Sequence, residues 1–221
     1  MNYKIIESCS KGNATIIRDI ILIDCGVPFR KLENYYKKLK LVLLTHIHAD
    51  HFNQNTIKRL AQERPTLRFA CCEWLLTPLL NCGVSRKNID ILKIGKTYNY
   101  KLFKIIPIEL YHDVPQCGYR VIFDNYKVLY ITDTKTVEGI IAKNYDLYLL
   151  EANYEEDEIE ERIKIKQEKN EYCYEYRVKD THLSKEQATE FLLNNMGENS
   201  QYVFMHIHQI KQQDKTKSNM I

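Results

Sequence analysis

The sequence lacks the features that mark membrane, secreted and repeat proteins. No apolar run approaches the length of a bilayer-spanning helix, and residues Met1–Lys4 lack the apolar core of a signal peptide. The chain also has no internal repeat and no low-complexity linker. These absences exclude repeat architectures and predict a cytoplasmic protein with no membrane partner.

The cysteine spacing and the net charge do not indicate a particular function either. The seven cysteines include no Cys-x-x-Cys pair and have no regular spacing, so we expect reduced side chains and no disulfide framework. The net charge is only +3, so contact with nucleic acid would have to come from local basic patches and bound metal. With 221 residues, 44% of them hydrophobic, we expect one domain over residues 1–221.

Histidine, in contrast, is confined to a few short motifs, which indicates that imidazole is reserved for metal and proton chemistry. The first motif follows the apolar run Leu41–Leu44, which predicts a buried strand. In extended backbone His46 and His48 share a face, while Asp50 and His51 lie in the following turn. These four ligands within six residues suffice for two metals, and their spacing differs from the helical His-Glu-x-x-His motif. The other motifs contain His112, His182, and the pair His206 and His208.

The pattern His-x-His-x-Asp-His after a strand resembles the signature of the metallo-β-lactamase superfamily. Four further motifs make the chain similar to the YycJ (WalJ) branch, which is regarded as a group of DNA exonucleases and is related to ribonuclease Z. The resemblance covers Lys4 to His208 and implies an α/β (α+β) fold, an αββα sandwich of two mixed β-sheets with helices outside. The further motifs are Ser8–Thr15, Leu22–Gly26, Leu150–Tyr154 and His182–Ser184.

The resemblance also implies a dinuclear centre of Zn²⁺ or Mn²⁺, with iron as another option. Asp133 would bridge both ions. His206 and His208 compete for the last ligand position, and His206 directly follows the strand-like run Tyr202–Met205. One metal would be held by His46, His48 and His112, and the other by Asp50, His51 and His206. The supporting residues would be Asp24, Thr45, Glu151 and Asn153, of which Asp24 and Glu151 could instead be ordinary strand-end carboxylates.

In such a centre a bridging hydroxide is the nucleophile, and both cations neutralise the charge that develops on the substrate, so Asp50 counts among the catalytic residues. The resemblance implies His182 as the general acid. The sequence from Ser184 to Gln187 predicts a capping box at the start of a helix that runs to about Asn194, with its phosphate-attracting end beside His182. Thr181 replaces the glycine usual in the family, which puts the local loop geometry in doubt.

Residues 155–180 are the least similar to the family and are predicted to form an insertion beside the active site. Their acidic start predicts a solvated helix face. Tyr172, Tyr174 and Tyr176 alternate, so on a strand they would share one face and either stack on nucleobases or pack against the protein. The polar tail at 211–221 is predicted to fray. The other candidate substrate contacts are Ser10, Lys11 and Asn13.

Hydrophobic periodicity predicts β-rich and helical stretches in alternation. A hairpin turn is predicted at Asp124 and Asn125. The predicted strands are near 5–8, 14–17, 20–23, 104–110, 119–123, 128–131 and 147–150. The predicted helices are near Arg30–Leu39, Gln54–Gln62 and Trp74–Leu80.

The sequence therefore predicts a dinuclear metal phosphodiesterase that acts on nucleic acid, a DNA exonuclease by resemblance, with DNA favoured over RNA. One alternative is a hydrolase of a small substrate, such as a cyclic nucleotide, a thioester or a lactone. Another is a catalytically idle nucleic-acid-binding accessory protein that keeps its metals for stability, although the intact ligand set argues against it. The oligomeric state stays open, a homodimer included.

Overall fold

A computed structural model describes residues 2–207, and within this range the chain forms two six-stranded mixed β-sheets. In the first sheet the strands lie in the order of the sequence, and the last four are parallel to one another. In the second sheet the order is reversed, and the last three strands in the sequence are parallel. The first sheet contains β1 (Tyr3–Cys9), β2 (Gly12–Ile17), β3 (Ile21–Ile23), β4 (Leu41–Leu43), β5 (Arg68–Cys72) and β6 (Ile89–Leu92). The second contains β7 (Tyr98–Tyr100), β8 (Phe103–Glu109), β9 (Cys117–Phe123), β10 (Tyr126–Ile131), β11 (Leu147–Glu151) and β12 (Gln201–Met205).

The helices cover the outer faces of the two sheets. Apolar residues of α1 and α2 pack in a cluster with the first sheet, and those of α5 pack in a cluster with the second. Among the described residues, no helix is both long and apolar enough to cross a bilayer. The α-helices are α1 (Gln54–Glu63), α2 (Leu76–Asn81), α3 (Glu156–Glu168), α4 (Glu175–Thr181) and α5 (Lys185–Asn195).

Alternation along the strands divides the core into layers. In β3, Ile21 and Ile23 belong to the cluster between the sheets, whereas Leu22 belongs to the cluster under the helices of the first sheet. In β11, Leu149 faces the inter-sheet cluster and Tyr148 packs with α5. Side chains on opposite faces of each strand therefore build separate apolar layers, which gives the predicted αββα sandwich.

The ends of the parallel strands bring distant polar residues to one edge of the sandwich. In the first sheet, Asp24 follows β3 and His46 follows β4. In the second, Asp133 follows β10, Glu151 ends β11 and His206 follows β12. Because the carboxyl ends of parallel strands meet at the same sheet edge, the fold gathers residues that are far apart in the chain.

Several local predictions are confirmed. The helix predicted from Gln54 is α1, and residues Asp124 and Asn125 form the turn between β9 and β10. The predicted capping box is also present, since the hydroxyl of Ser184 accepts from the N–H of Gln187 and the Gln187 side chain accepts from the N–H of Ser184. All seven cysteines are free thiols.

The helix predicted at Arg30–Leu39 is wrong, because the chain there forms two short 3₁₀ turns. The guanidinium of Arg64 donates to the carbonyl oxygens of Tyr36 (2.7 Å) and Leu39 (3.1 Å). The Tyr36 carbonyl also accepts from the N–H of Leu39 at 3.3 Å, a 3₁₀ bond, so neither carbonyl continues an α-helical ladder. The apolar spacing resembled a helix, but a tertiary contact decides the backbone.

The strand predicted for the alternating tyrosines is also wrong. Helix α4 begins at Glu175, so Tyr174 precedes it and Tyr176 lies within it. Glu175 is buried and pairs with Lys166 of α3 at 2.7 Å, which joins the two helices of segment 155–180. The pair links α3 to the start of α4, and the three rings do not share one strand face.

Candidate metal centre

Three imidazoles meet where β4 and β8 end. One ligand atom each from His46, His48 and His112 lies within 4.8 Å of the others. Nδ1 of His112 is 2.9 Å from the carbonyl oxygen of Thr181, and its Nε2 is 3.3 Å from Nδ1 of His48. Since a carbonyl only accepts, Nδ1 of His112 carries the proton and Nε2 offers its lone pair to the group.

A second group combines the loop after β4 with the end of β12. Ligand atoms of Asp50, His51 and His206 lie within 4.8 Å of one another. Oδ2 of Asp50 is 3.6 Å from Nε2 of His51 and 3.7 Å from Nε2 of His206. The fold thus brings together both sets of three that the resemblance implies, while His208 lies outside the described residues.

Asp133 lies between the two groups. Its Oδ2 is 2.6 Å from Nε2 of His51 and 3.5 Å from Nε2 of His46, and its Oδ1 is 2.5 Å from Nδ1 of His206. A carboxylate that lies beside imidazoles of both groups is in position to bind a cation held by either group.

Asp24 and Thr45 orient two of the imidazoles. Oδ2 of the buried Asp24 accepts from Nδ1 of His51 at 2.7 Å, and its Oδ1 accepts from both the N–H and the hydroxyl of Thr45 at 2.9 Å. The Thr45 hydroxyl is in turn 2.9 Å from Nδ1 of His46. Asp24 therefore acts on both groups through one hydrogen-bond network.

Glu151 and Asn153 organise the opposite side. Oε1 of the buried Glu151 is 2.7 Å from Nδ1 of His182, and its Oε2 accepts from the N–H groups of Thr134 (2.8 Å) and Leu183 (3.2 Å). The Asn153 amide donates to the carbonyl oxygen of His206 at 3.0 Å. Glu151 thus connects the loop after Asp133 with His182.

Three residues of this centre have left-handed backbone. The φ angles of Asp24, Asp133 and His206 are 59°, 51° and 52°. Each lies within two residues of the end of a parallel strand, where the left-handed turn redirects the chain. Non-glycine residues adopt this conformation rarely and at some cost. Its recurrence at three strand ends supports a functional role for this edge, although Arg18, Asp19, Asn144 and Asn170 adopt it elsewhere.

The imidazoles of the two groups differ in their pKa values. Burial and the neighbouring His51 lower the pKa of His46 well below its usual range, and burial also lowers the pKa of His112. Burial alone would raise the pKa of Asp133, but the imidazoles of His51 and His206 outweigh it and hold that pKa well below its usual range. Burial alone would lower the pKa values of His51 and His206, but neighbouring carboxylates outweigh burial and raise the pKa of His51 to about 10 and that of His206 well above its usual range. A cation in the second group would therefore displace a proton from each of these two rings, because metal binds the neutral ring nitrogen.

Buried atoms in the centre fit a cation as their partner. The Nε2 atoms of His46 and His206 are buried and have no hydrogen-bond partner among residues 2–207. Buried polar atoms are nearly always satisfied, by protein groups, water or an ion. Imidazole nitrogens and carboxylate oxygens are ligands for Zn²⁺, Mn²⁺ and Fe²⁺. The residues present therefore fit divalent metal.

Comparison with known families agrees with this geometry. A model described as "Beta-lactamase superfamily domain" matches residues 20–207, a range that includes every residue of the centre. The chain belongs to the metallo-β-lactamase superfamily. The αββα sandwich is the fold of this superfamily, so the predicted family and fold are both confirmed. The narrower exonuclease branch stays a prediction.

Individual superfamily members show how far the likeness extends. Ribonuclease Z of Borrelia garinii subsp. bavariensis is 29% identical over 132 residues, which cover 54% of this chain and 34% of that protein. YhfI of Bacillus subtilis, a protein of the metallo-β-lactamase fold, superposes with a TM-score of 0.71 at 18% identity, covering 95% of this chain and 86% of YhfI. The short form of human tRNase Z superposes with a TM-score of 0.69 at 14% identity, covering 95% of this chain and 93% of the tRNase Z chain. At these identities the structures share the fold.

A pocket of about 290 Å³ opens over the candidate metal centre. Of the predicted substrate contacts, Ser10 and Tyr174 line it, whereas Lys11, Tyr172 and Tyr176 do not. Its lining residues are Ser10, His48, Asp50, His112, Asp133, Tyr174, Arg177, Val178, Thr181, His182 and His206.

Asn13, the remaining predicted substrate contact, lies inside the protein beside the metal centre. Asn13 is only 1% exposed, and its Nδ2 lies 3.2 Å from Oδ2 of Asp50 and 2.8 Å from Nε2 of His51. A side chain that is already hydrogen-bonded inside the protein has no free surface for substrate. Asn13 instead positions Asp50.

Two charged residues of the pocket region were missed. Oδ1 of Asp113 is 3.3 Å from Nε2 of His48 and 3.2 Å from Nε2 of His112, and Asp113 pairs with Arg177 of α4. The adjacency of Asp113 to His112 was a usable signal. Arg177 had none, because nothing in the sequence separates it from the other 31 lysine and arginine residues.

Proposed function

We propose that the chain is a dinuclear metal-dependent phosphodiesterase that acts on nucleic acid. The observation that carries this proposal is the pairing of two ligand groups around Asp133 with His182 and Arg177 in one pocket. Two bound divalent cations would act as Lewis acids and lower the pKa of a bound water. The surrounding residues of this chain supply the rest of the chemistry.

His182 is suited to protonate a leaving oxygen. Its Nδ1 faces Glu151 and its ring lines the pocket, which leaves Nε2 for the substrate. Burial alone would lower its pKa, but hydrogen bonds to Asp133 and Glu151 outweigh burial and raise the pKa of His182 to about 9. In the protein without metal the ring is therefore an imidazolium near neutral pH, which is the protonated form that a general acid requires.

Arg177 supplies a cation at the pocket wall. Its side chain is 70% exposed and pairs with Asp113, so the guanidinium stands at the entrance of the pocket. A planar guanidinium binds phosphate oxygens through two parallel hydrogen bonds. Arg177 would thus hold a phosphate oxygen of the substrate while His182 faces the leaving group.

The choice of nucleic acid is the finer part of the proposal. The resemblance to the YycJ branch favours an exonuclease that acts on DNA, whereas two of the three proteins named above, ribonuclease Z and tRNase Z, are ribonucleases by name and favour RNA. The pocket residues address the phosphodiester, which both polymers share. We retain DNA as the proposed substrate and treat RNA as the competing candidate.

Metal-reconstituted protein should be incubated with end-labelled single-stranded DNA, duplex DNA and RNA of one sequence, together with a cyclic nucleotide and methyl 4-nitrophenyl phosphate. We expect stepwise shortening of DNA from an end. Faster cleavage of RNA would reassign the substrate, and turnover of the cyclic nucleotide or methyl ester alone would refute the nuclease proposal. Binding of DNA without turnover of any compound would support the idle accessory role.

A further inference from the structure

A second cavity, of about 360 Å³, adjoins the pocket over the centre. It lies between α3, α4 and the ends of β11 and β12. Tyr174 and Val178 of the α4 region line both spaces, so the two spaces lie side by side. A molecule with its phosphate beside His182 could therefore place an attached group in the second cavity.

The walls of this cavity are apolar and partly aromatic. Ile159 and Ala152 are buried at 3% and 4% exposure, and the ring of Phe204 also contributes. The Tyr174 ring is held from another side by Lys166, whose Nζ lies 4.1 Å from the ring centroid. A fixed tyrosine ring beside aliphatic groups suits a flat aromatic ligand, because bases stack on such rings whatever their sequence.

Polar groups at the cavity suit the edge of a base. Arg162 pairs with Glu158 at 3.3 Å, and Lys185 pairs with Glu155 at 2.5 Å. Each pair offers a hydrogen-bond donor beside an acceptor, and nucleobase edges present both. A volume near the lower end of the roughly 300–1,000 Å³ usual for small-ligand sites fits a single nucleoside rather than a strand.

We propose that this second cavity binds the nucleobase of the nucleotide adjoining the scissile phosphate. The inference rests on the proposed phosphodiesterase function, and it assigns a substrate-binding role to α3 and α4. It also separates the three tyrosines, since Tyr174 lines the cavity and Tyr172 and Tyr176 do not.

Calorimetric titration of the metal-loaded protein tests this without relying on turnover. Adenosine 5′- and 3′-monophosphates are compared with ribose 5-phosphate, which lacks the base. We expect at least one nucleotide to bind about tenfold tighter than ribose 5-phosphate, as one base stack provides. Tyr174→Ala should remove this excess, and Ile159→Trp, which fills the cavity from α3, should do the same in protein of normal melting behaviour. Tyr176→Ala, an exposed tyrosine of the same helix, should retain it.

Equal affinity for the nucleotides and ribose 5-phosphate would overturn the inference. So would an excess that persists in both cavity variants, or one that Tyr176→Ala removes as fully as Tyr174→Ala. Base-dependent binding without any phosphodiester turnover would preserve the cavity assignment and refute the proposed function. Phosphodiester turnover without base-dependent binding would support the proposed function and refute the cavity assignment.

Discussion

At the scale of residues, the centre is defined by which ring nitrogen each imidazole presents. Nδ1 of His51 faces Asp24, Nδ1 of His112 faces a backbone carbonyl and Nδ1 of His182 faces Glu151. In each case the acceptor holds Nδ1 and orients the ring, and the opposite nitrogen is left for the centre or the pocket.

His182→Ala should distinguish a proton donor from a metal ligand. We expect the variant to keep its metal content and to lose turnover by a factor of about a hundred or more, because only proton transfer to the leaving oxygen is removed. Metal content by elemental analysis and kcat on the best substrate are the two measurements. Loss of metal would instead place His182 with Asp133, Glu151 and His206, which also lie close enough to hold an ion.

Gly26→Ala should disrupt the ligand loop. An added Cβ would lie 1.6 Å from the carbonyl oxygen of Asp50 and 2.1 Å from its carbonyl carbon, so the backbone at Asp50 must move. We expect a loss of about 1–3 kcal/mol in the free energy of unfolding, and weaker metal binding. Denaturant unfolding and competition with a chelator measure both effects.

Gly83→Ala is the matched control. Gly83 has a φ of +82° and no atom within 4 Å of an added Cβ, so it tests backbone strain alone. It should lower stability by roughly 1–2 kcal/mol while metal affinity stays normal. Equal metal affinity in the two variants would show that the loop tolerates displacement at Gly26.

At the scale of elements, the strand ends position the candidate metal ligands and two of the helices line the substrate space. The parallel strands β3, β4, β10, β11 and β12 end at the residues that form the centre. Helices α3 and α4 instead form walls of the pocket and the second cavity. The rigid sheets therefore fix the candidate ligands, and the helical pair shapes the space for substrate.

The stability of the helical pair should depend on pH through Glu175. Burial alone would raise the pKa of Glu175, but its bond to Lys166 outweighs burial and lowers that pKa. A depressed folded-state pKa stabilises the protein above the ordinary glutamate value of about 4.3, and this stability is lost as the pH falls through the folded value. Glu175→Gln should therefore cost about 1–3 kcal/mol at pH 7 and progressively less below pH 4.

Unfolding of both proteins in denaturant across a pH series measures this difference. Glu160→Gln serves as the control, because Glu160 pairs with Lys179 at 3.1 Å on the exposed side of the same two helices. Exposed pairs contribute little, so the control should change stability by less than about 1 kcal/mol. A loss for Glu175→Gln that is the same at pH 3 and pH 7 would contradict the account.

At the scale of the whole molecule, two sheets with opposite strand orders place their parallel ends at one edge. The first histidine motif was predictable, because four candidate ligands stand within six residues directly after an apolar run. The αββα arrangement was predictable from the family resemblance, with which the order of β-rich and helical stretches in the sequence is compatible. Strands β5 and β6 were missed, since burial on both faces removes most of the alternation in β5.

The features that were not predicted share a cause, which is contact between residues distant in sequence. Arg64 binds the carbonyls of residues 36 and 39, and Lys166 pairs with Glu175 at the start of α4. Asn13 is drawn to Asp50 across 37 positions of the chain. Neither residue propensity nor local periodicity predicts these contacts, because each contact forms only in the completed fold.

The central claim is that residues from both sheets hold two divalent cations around Asp133. Anomalous diffraction from crystals of the metal-reconstituted protein tests it most directly. The account predicts two ions, one bound by His46, His48 and His112, the other by Asp50, His51 and His206, with Asp133 contacting both. No bound ion in excess metal, or one ion held by Asp133, Glu151, His182 and His206, would contradict it.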